Sequence, residues 1–171
     1  IDFKPGQELD GFRVARVTPL PELYAVAIEL EHGKSGARVL HLAAEDPENL
    51  FAIAFPTPPP DDRGVPHILE HSVLGGSERF PVKEPFFEMV KMSMATYINA
   101  LTSDALTVYP VSSNVRQDYY NLAEVYWDAV FHPAMARANL TVRTGVFVEK
   151  VLLEGGRAVG IAARDKSGPV E

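Results

Sequence analysis

The sequence contains no cysteine among its 171 residues, so it can form no disulfide and offers no thiolate to a metal ion. Any bound metal must therefore be held by histidine and carboxylate side chains. Long apolar runs are also missing, since stretches such as Leu50–Phe55 are far too short to span a bilayer. No signal-peptide pattern is visible. These absences predict a soluble protein without membrane contacts, and they leave the compartment unknown, with the cytoplasm and an organelle matrix as the alternatives.

Basic residues are scarce as well. The chain has 16 Lys and Arg against 23 Asp and Glu, which gives a net charge of -7. This balance argues against a nucleic-acid surface and is compatible either with basic peptide partners or with plain solubility. The dinucleotide fingerprint G-x-G-x-x-G is absent, so flavin binding is not supported. A hydrophobic content of 46% is ordinary for a globular protein and allows a sizeable core.

Periodicity predicts an α+β fold, with an antiparallel or mixed sheet that carries helices on one face. The expected strands are Gly11–Val17, Leu23–Leu30, Ala37–Leu42, Leu50–Phe55, Thr96–Leu101 and Leu106–Val111. We expect Thr18–Glu22 to break the first strand, Leu50–Phe55 to be a buried central strand, and the last two strands to form a hairpin. Helices are expected from Pro66 to the Gly75-Gly76 pair, over Pro85–Met94 and over Gln117–Phe131.

One short motif carries recognisable chemistry. His67, Glu70 and His71 form the pattern H-x-x-E-H, and on a helix residues four apart share a face, so the two imidazoles can converge. Two imidazoles suit zinc, and a carboxylate next to a zinc-bound water can take its proton, which is the core of a metallopeptidase site. The alternative is an amphipathic helix with two surface histidines. The five residues alone do not choose between them.

The surrounding sequence resembles the pitrilysin/insulinase-type zinc peptidases from about Gly11 to Pro133, and within them the presequence protease branch. The motifs that carry this resemblance are, in chain order, Thr57-Pro58-Pro59, Gly64-Val65-Pro66-His67-Ile68-Leu69-Glu70-His71-Ser72-Val73-Leu74-Gly75-Gly76-Ser77, Phe80-Pro81-Val82-Lys83-Glu84-Pro85-Phe86, Asn99-Ala100-Leu101-Thr102, Tyr109-Pro110-Val111 and Asn121-Leu122-Ala123-Glu124-Val125-Tyr126-Trp127-Asp128-Ala129-Val130-Phe131-His132-Pro133.

This resemblance implies zinc as the cofactor, with His67 and His71 as ligands and Glu70 as the general base that activates a zinc-bound water. It implies that a strand near Asn99 and Ala100 pairs with an extended peptide substrate by strand addition. Asn99 could instead be a simple turn or strand-end amide. Family members have four related domains that close a chamber around unstructured peptides, so the remaining C-terminal domains would be partners of this chain.

The family also needs a carboxylate as a third zinc ligand, and the segment N-E-M-K-G that supplies it in this branch does not occur here. Glu149 lies 149 − 71 = 78 positions after His71, a spacing close to that of other branches, but its surroundings look like a strand. Glu154 and Glu171 are weaker candidates. We therefore expect an incomplete metal site and weak or no peptidase activity from the isolated chain.

The tail resembles a different family. Arg137–Gly145 and Val151–Ile161 are similar to a strand-rich segment of flavin-dependent glucose-methanol-choline oxidoreductases, with Gly155-Gly156 as a hairpin turn. We therefore divide the chain into an N-terminal part of a peptidase domain, 1–133, and an unrelated β-rich tail, 134–171, joined at a chimeric junction.

Three functions follow from the sequence. The first is a zinc-dependent endopeptidase fragment that acts on unstructured peptides. The second is a non-catalytic scaffold or partner-binding protein of the same fold, against which the intact H-x-x-E-H motif argues. The third is a flavoprotein fragment, which the missing fingerprint disfavours.

Overall fold

The computed structural model describes residues 3–82, 85–136 and 146–170. They form an α+β structure whose strands all pair antiparallel. The chain divides into two compact units, Ile1–Pro47 and Glu48–Glu171. The family resemblance suggests a different boundary, at residue 133. That boundary separates two sequence families rather than two compact units, and it stays a prediction.

The described elements follow in chain order. The strands are β1 (Glu8–Leu9), β2 (Phe12–Leu20), β3 (Ala25–His32), β4 (Arg38–Ala44), β5 (Asn49–Pro56), β6 (Tyr97–Ile98), β7 (Leu101–Thr102), β8 (Leu106–Ser113), β9 (Phe147–Glu154), β10 (Arg157–Asp165) and β11 (Gly168–Val170). The α-helices are α1 (Val65–Val73), α2 (Pro85–Met92) and α3 (Arg116–Phe131).

The first unit is a four-stranded sheet in the order β1-β2-β3-β4. Its three longer strands confirm the three expected from the sequence, and β3 and β4 form the expected hairpin. The expected break at Thr18 is wrong, because β2 continues through Pro19 to Leu20. β1 pairs only with Phe12 and Arg13, so the outer side of β2 at Pro19 is a sheet edge, where a residue without an N–H is tolerated.

The second unit contains the site sheet, in the order β5-β8-β6, with β7 also paired to β8. The predicted hairpin is confirmed, since β6 and β7 both run antiparallel to β8. The expectation of a buried central strand at Leu50–Phe55 is wrong: in the described part of the chain β5 lies at the sheet edge, with Leu50 62% exposed. Side-chain burial alternates within this apolar run. Phe51 and Phe55 pack towards the core, while the alanines face outwards.

The core of the second unit lies between the site sheet and two helices. Tyr109 and Val111 are alternate residues of β8 and point to the same face, where they meet α1 and α3. The buried cluster consists of Val73, Leu74, Tyr109, Val111, Leu122, Tyr126 and Ala129. Both helices therefore cover one face of the site sheet, as expected.

Helix α1 ends as the sequence predicts, before the Gly75-Gly76 pair. Gly76 has a φ of 132°, which a residue with a side chain rarely adopts, and a Cβ there would lie 3.0 Å from the Val82 carbonyl oxygen. Pro66 occupies the first turn of α1, where its missing N–H costs nothing. α2 ends at Met92, two residues earlier than expected, and α3 spans the predicted range.

The tail forms a separate three-stranded sheet in the order β11-β10-β9, which we call the tail sheet. Gly155 and Gly156 turn the chain between β9 and β10 with φ values of 55° and 79°, so the predicted hairpin turn is confirmed. Every residue of β9 is exposed. The segment 137–145, which carries part of the resemblance to oxidoreductases, lies outside the described residues.

Candidate metal centre and peptide cleft

Helix α1 brings the two histidines of the motif together. Their Nε2 atoms lie 3.1 Å apart and their ring centroids 4.9 Å apart. Two nitrogen ligands of a tetrahedral zinc ion, each at about 2.0–2.1 Å, would be separated by about 3.3 Å. The spacing of His67 and His71 therefore suits two ligands of one zinc ion. Both residues are exposed, so the position is accessible to an incoming ion.

Glu70 completes the group. One of its carboxylate oxygens and one nitrogen of each histidine all lie within 4.8 Å of one another. Unlike the histidines, Glu70 is only 4% exposed. Its Oε2 accepts a hydrogen bond of 2.5 Å from the Thr102 hydroxyl on β7, a length typical of an O–H donor to an ionised carboxylate. The carboxylate is therefore held from the sheet side while it faces the two imidazoles.

In the described part of the chain, no further carboxylate reaches this group to act as a third metal ligand. Glu149 lies in β9 and pairs with Arg164 at 2.9 Å, within the tail sheet. Glu154 is exposed at the end of the same strand, and Glu171 lies outside the described residues. Among the described residues, His67, Glu70 and His71 form the one group of three that could hold a metal. The donor set thus fits zinc in type and spacing but supplies two imidazoles rather than a full set of ligands.

A cleft of about 570 Å³ joins the metal-binding group to the predicted substrate residues. It is lined by His67, Glu70, His71, Leu74, Gly75, Phe86, Phe87, Asn99, Ala100, Leu101 and Thr102. The structure therefore brings together all five of the residues to which the sequence assigned a role. Phe86 and Phe87, at the start of α2, give the cleft an apolar wall, and Phe86 also packs against the core cluster.

Pro110 lies in β8, opposite the segment between β6 and β7 that lines the cleft. Its register places it opposite Asn99, whose N–H donates to the Pro110 carbonyl at 3.2 Å. A residue at this position would normally return a hydrogen bond to the Asn99 carbonyl, but proline has no N–H. The buried hydroxyl of Tyr126 donates to that carbonyl instead, at 3.1 Å. A side chain from α3 thus replaces the backbone hydrogen bond that Pro110 cannot make, and it fixes Asn99 at the cleft.

The next residue presents its backbone to the open edge of the sheet. Because Asn99 points its N–H towards β8, Ala100 points its N–H the other way. That N–H donates to the side-chain Oδ1 of Asn99 at 2.9 Å, and the Asn99 amide nitrogen donates to the Tyr97 hydroxyl at 3.2 Å. β6 and β7 pair only with β8 in the described part of the chain. An extended peptide could therefore add to this edge.

Two buried tyrosines lie close to the charge of Glu70. Burial, together with the negative charge of Glu70, raises the pKa of Tyr109 to about 12. Burial, the charge of Glu70 and the neighbouring Tyr97, in that order, raise the pKa of Tyr126. Both phenols are therefore neutral at physiological pH, which leaves Tyr126 its proton to donate to Asn99.

Sequence reasoning missed the residues that position the site. Thr102 lies just outside the expected strand Thr96–Leu101 and Tyr126 lies within the expected helix Gln117–Phe131, but the sequence assigns neither of them a role at the site. The hairpin register could have indicated Thr102, because it places this residue opposite Thr107 on the face that α1 covers. No local pattern indicates Tyr126, because its partner depends on how α3 packs.

H-x-x-E-H on a helix, beside an open strand in a cleft, defines the inverzincin class of sites. Comparison with known proteins finds relatives that share one name. The chain is 47% identical over 135 residues to the mitochondrial presequence protease of Mus musculus, which covers 79% of this chain and 13% of that protein. The Xenopus laevis protein of the same name is 48% identical over 133 residues (78% of this chain, 13% of that protein). The Gibberella zeae protein is 44% identical over 138 residues (81% and 14%).

These similarities place the chain, over its peptidase-like part, in the presequence protease branch of the pitrilysin-type peptidase family. The chain spans about an eighth of the length of the relatives it matches. In addition, the family model for GMC oxidoreductase matches residues 126–171. Two families thus match two parts of the chain, as the sequence resemblances indicated. No helix in the described part of the chain is both long and apolar enough to cross a membrane.

Proposed function

We propose that this chain is the zinc-binding and peptide-positioning part of a metalloendopeptidase that acts on unstructured peptides. The observation that supports it most directly is the cleft that holds His67, Glu70 and His71 next to the open edge at Asn99 and Ala100. His67 and His71 would hold the ion. When bound there, zinc would supply Lewis acidity and lower the pKa of a water molecule.

The chain's own residues would then divide the work. Glu70, held by Thr102, takes a proton from the attacking water, since a carboxylate near two metal ligands is well placed as a general base. The Ala100 N–H, now bound to the Asn99 side chain, is the donor that a peptide carbonyl would take on joining the edge. Asn99 would then turn its side-chain amide to the peptide backbone. Strand addition selects extended chains and rejects folded ones.

The missing third ligand limits what the chain does alone. A site with two imidazoles and water holds zinc less tightly than the usual three or four protein ligands. The C-terminal remainder of the relatives, which this chain does not contain, would supply that ligand and close a chamber around the peptide. We therefore expect slow cleavage by the isolated chain.

Mass spectrometry of an unstructured peptide incubated with the chain and zinc tests this proposal. We expect slow cleavage of the peptide and none of a folded protein, with activity lost on chelation and in Glu70→Gln. Glu149→Gln is the matched control and should cleave as the wild type does. Cleavage that survives chelation and Glu70→Gln would refute the assigned site, and efficient turnover would refute its incompleteness. Absence of zinc uptake at micromolar free metal would favour the second candidate, a non-catalytic protein of the same fold.

A further inference from the structure

A line of three threonine hydroxyls ends on Glu70. Thr102 donates to Glu70 at 2.5 Å, and the Thr102 and Thr107 hydroxyl oxygens are 3.2 Å apart. The Thr107 and Thr57 hydroxyl oxygens are 2.8 Å apart. Thr107 is buried, at 3% exposed, so its hydroxyl depends on these partners rather than on bulk water. The line runs from the loop after β5, through β8 and β7, to α1.

The direction of these hydrogen bonds is fixed by the carboxylate. An ionised carboxylate only accepts, so Thr102 must give its single hydroxyl proton to Glu70. The Thr102 oxygen can then only accept from Thr107, and Thr107 in turn accepts from Thr57. Each donor is polarised by the one behind it, which strengthens the bond to Glu70.

Glu70 has a second possible partner, the metal itself. Its carboxylate lies within 4.8 Å of both histidine nitrogens, close enough for a small side-chain rotation to make it a ligand. The two-imidazole site has room for such a ligand, because the described residues supply no third one. A carboxylate captured by the ion could no longer act as a base. To act as a base, the Glu70 carboxylate must therefore be kept away from the ion by another contact.

We propose that Thr102, supported by Thr107 and Thr57, is a positioning residue that holds Glu70 as a base and prevents it from becoming a third metal ligand. The proposal rests on the proposed metal site. Thr102 is suited to this role because β7 is paired to β8, so its backbone cannot follow the carboxylate. Its hydroxyl binds Oε2 of the carboxylate.

Cobalt(II) in place of zinc tests the proposal without any measurement of activity. Thr102→Val keeps the shape of the side chain and removes the hydroxyl, whereas Thr102→Ser keeps the hydroxyl. We expect Thr102→Val to bind cobalt about 10-fold more tightly than the wild type and to change its visible absorption spectrum, as Glu70 joins the ion. Thr102→Ser should match the wild type. Both changes should vanish in the Thr102→Val/Glu70→Gln double variant.

Thermal unfolding of the metal-free proteins gives an independent measurement. Thr102→Val should lower the Tm by about 3–10 °C when Glu70 is present and by clearly less in the Glu70→Gln background. If Thr102→Val does not fold, Thr107→Val removes the next hydroxyl and should change cobalt binding in the same direction by a smaller amount.

The two proposals fail in different ways. A wild-type chain that takes up no cobalt would overturn the metal site and this inference with it. Cobalt uptake by the wild type, with unchanged or weaker binding and an unchanged spectrum in Thr102→Val, would overturn only the role of Thr102.

Discussion

The site sheet and the tail sheet are both antiparallel, but among the described residues only the site sheet has a layer of helices packed on it. In β8, six of eight residues are buried, whereas all eight residues of β9 are exposed. Burial on one face is what lets the site sheet hold Thr102 and Asn99 against side chains from α1 and α3. The tail sheet has regular strands, and the described part of the chain packs no helix layer on them. The comparison shows that a regular strand pattern alone does not fix functional side chains in place. The helices packed on the sheet are needed as well.

The largest difference between the two sheets should appear when equal side chains are shortened. Leu122 is 2% exposed in the core cluster, and Leu153 is 65% exposed in β9. We expect Leu122→Ala to lower the free energy of unfolding by about 2–5 kcal/mol, because it leaves a cavity. Leu153→Ala should change it by less than about 0.5 kcal/mol. Urea unfolding of both variants measures this, and equal losses would contradict the contrast.

A smaller loss of stability is expected when the hydrogen bond from Tyr126 to the Asn99 carbonyl is removed. Tyr126→Phe leaves the Asn99 carbonyl without its donor inside the core and should cost about 1–3 kcal/mol. Tyr120→Phe is the matched control, since this tyrosine lies on the same helix and is 53% exposed. It should be nearly neutral. If urea unfolding gave the two variants the same stability, the Tyr126 hydroxyl would have no role in fixing Asn99.

The smallest effect concerns how the free energy of unfolding changes at acidic pH. Burial acts to raise the pKa of Asp128, but the hydrogen bonds and the charge around it, including the Arg79 N–H and the His132 ring, lower it below its usual value. A depressed pKa contributes stability that is present above the unfolded pKa of about 3.9 and is lost as pH falls through the lower folded pKa. Asp128→Asn should therefore be less stable than the wild type at pH 7.

That difference should shrink below about pH 4, where the carboxyl of the unfolded wild type takes up its proton, and should be lost as the folded carboxyl is protonated at lower pH. Glu149→Gln, which breaks the exposed pair with Arg164 in the tail sheet, should cost no more than about 1 kcal/mol at pH 7. Unfolding free energies at pH 7 and pH 3 measure both. A constant penalty for Asp128→Asn across this range would show that its charge is not involved.

Much of this structure could be predicted from periodicity. The three helices, the hairpin of β6 to β8 and the turn at Gly155-Gly156 follow from local patterns of apolar residues, proline and glycine. The edge position of β5 could not be predicted, because a continuous apolar run does not show which strands become its neighbours. The run through Pro19 was missed for a related reason, since tolerance of proline depends on a strand's missing neighbour.

The residues of the site also divide into those that local spacing reveals and those that depend on long-range packing. His67, Glu70 and His71 are visible in the sequence because a helix brings close residues together. Thr102 lies 32 positions after Glu70, and Tyr126 lies 27 positions after Asn99. Those partnerships exist only once α1 and α3 pack on the sheet, so no local spacing could predict them.

Zinc uptake by the purified chain tests the central claim most directly. Calorimetric titration at micromolar free zinc should give one ion per chain, with affinity reduced about 100-fold or more in His67→Ala and in His71→Ala. Glu149→Gln, in the tail sheet, should bind as the wild type does. No uptake, or uptake that is equal in the histidine variants and the wild type, would contradict the assignment of the metal centre to α1.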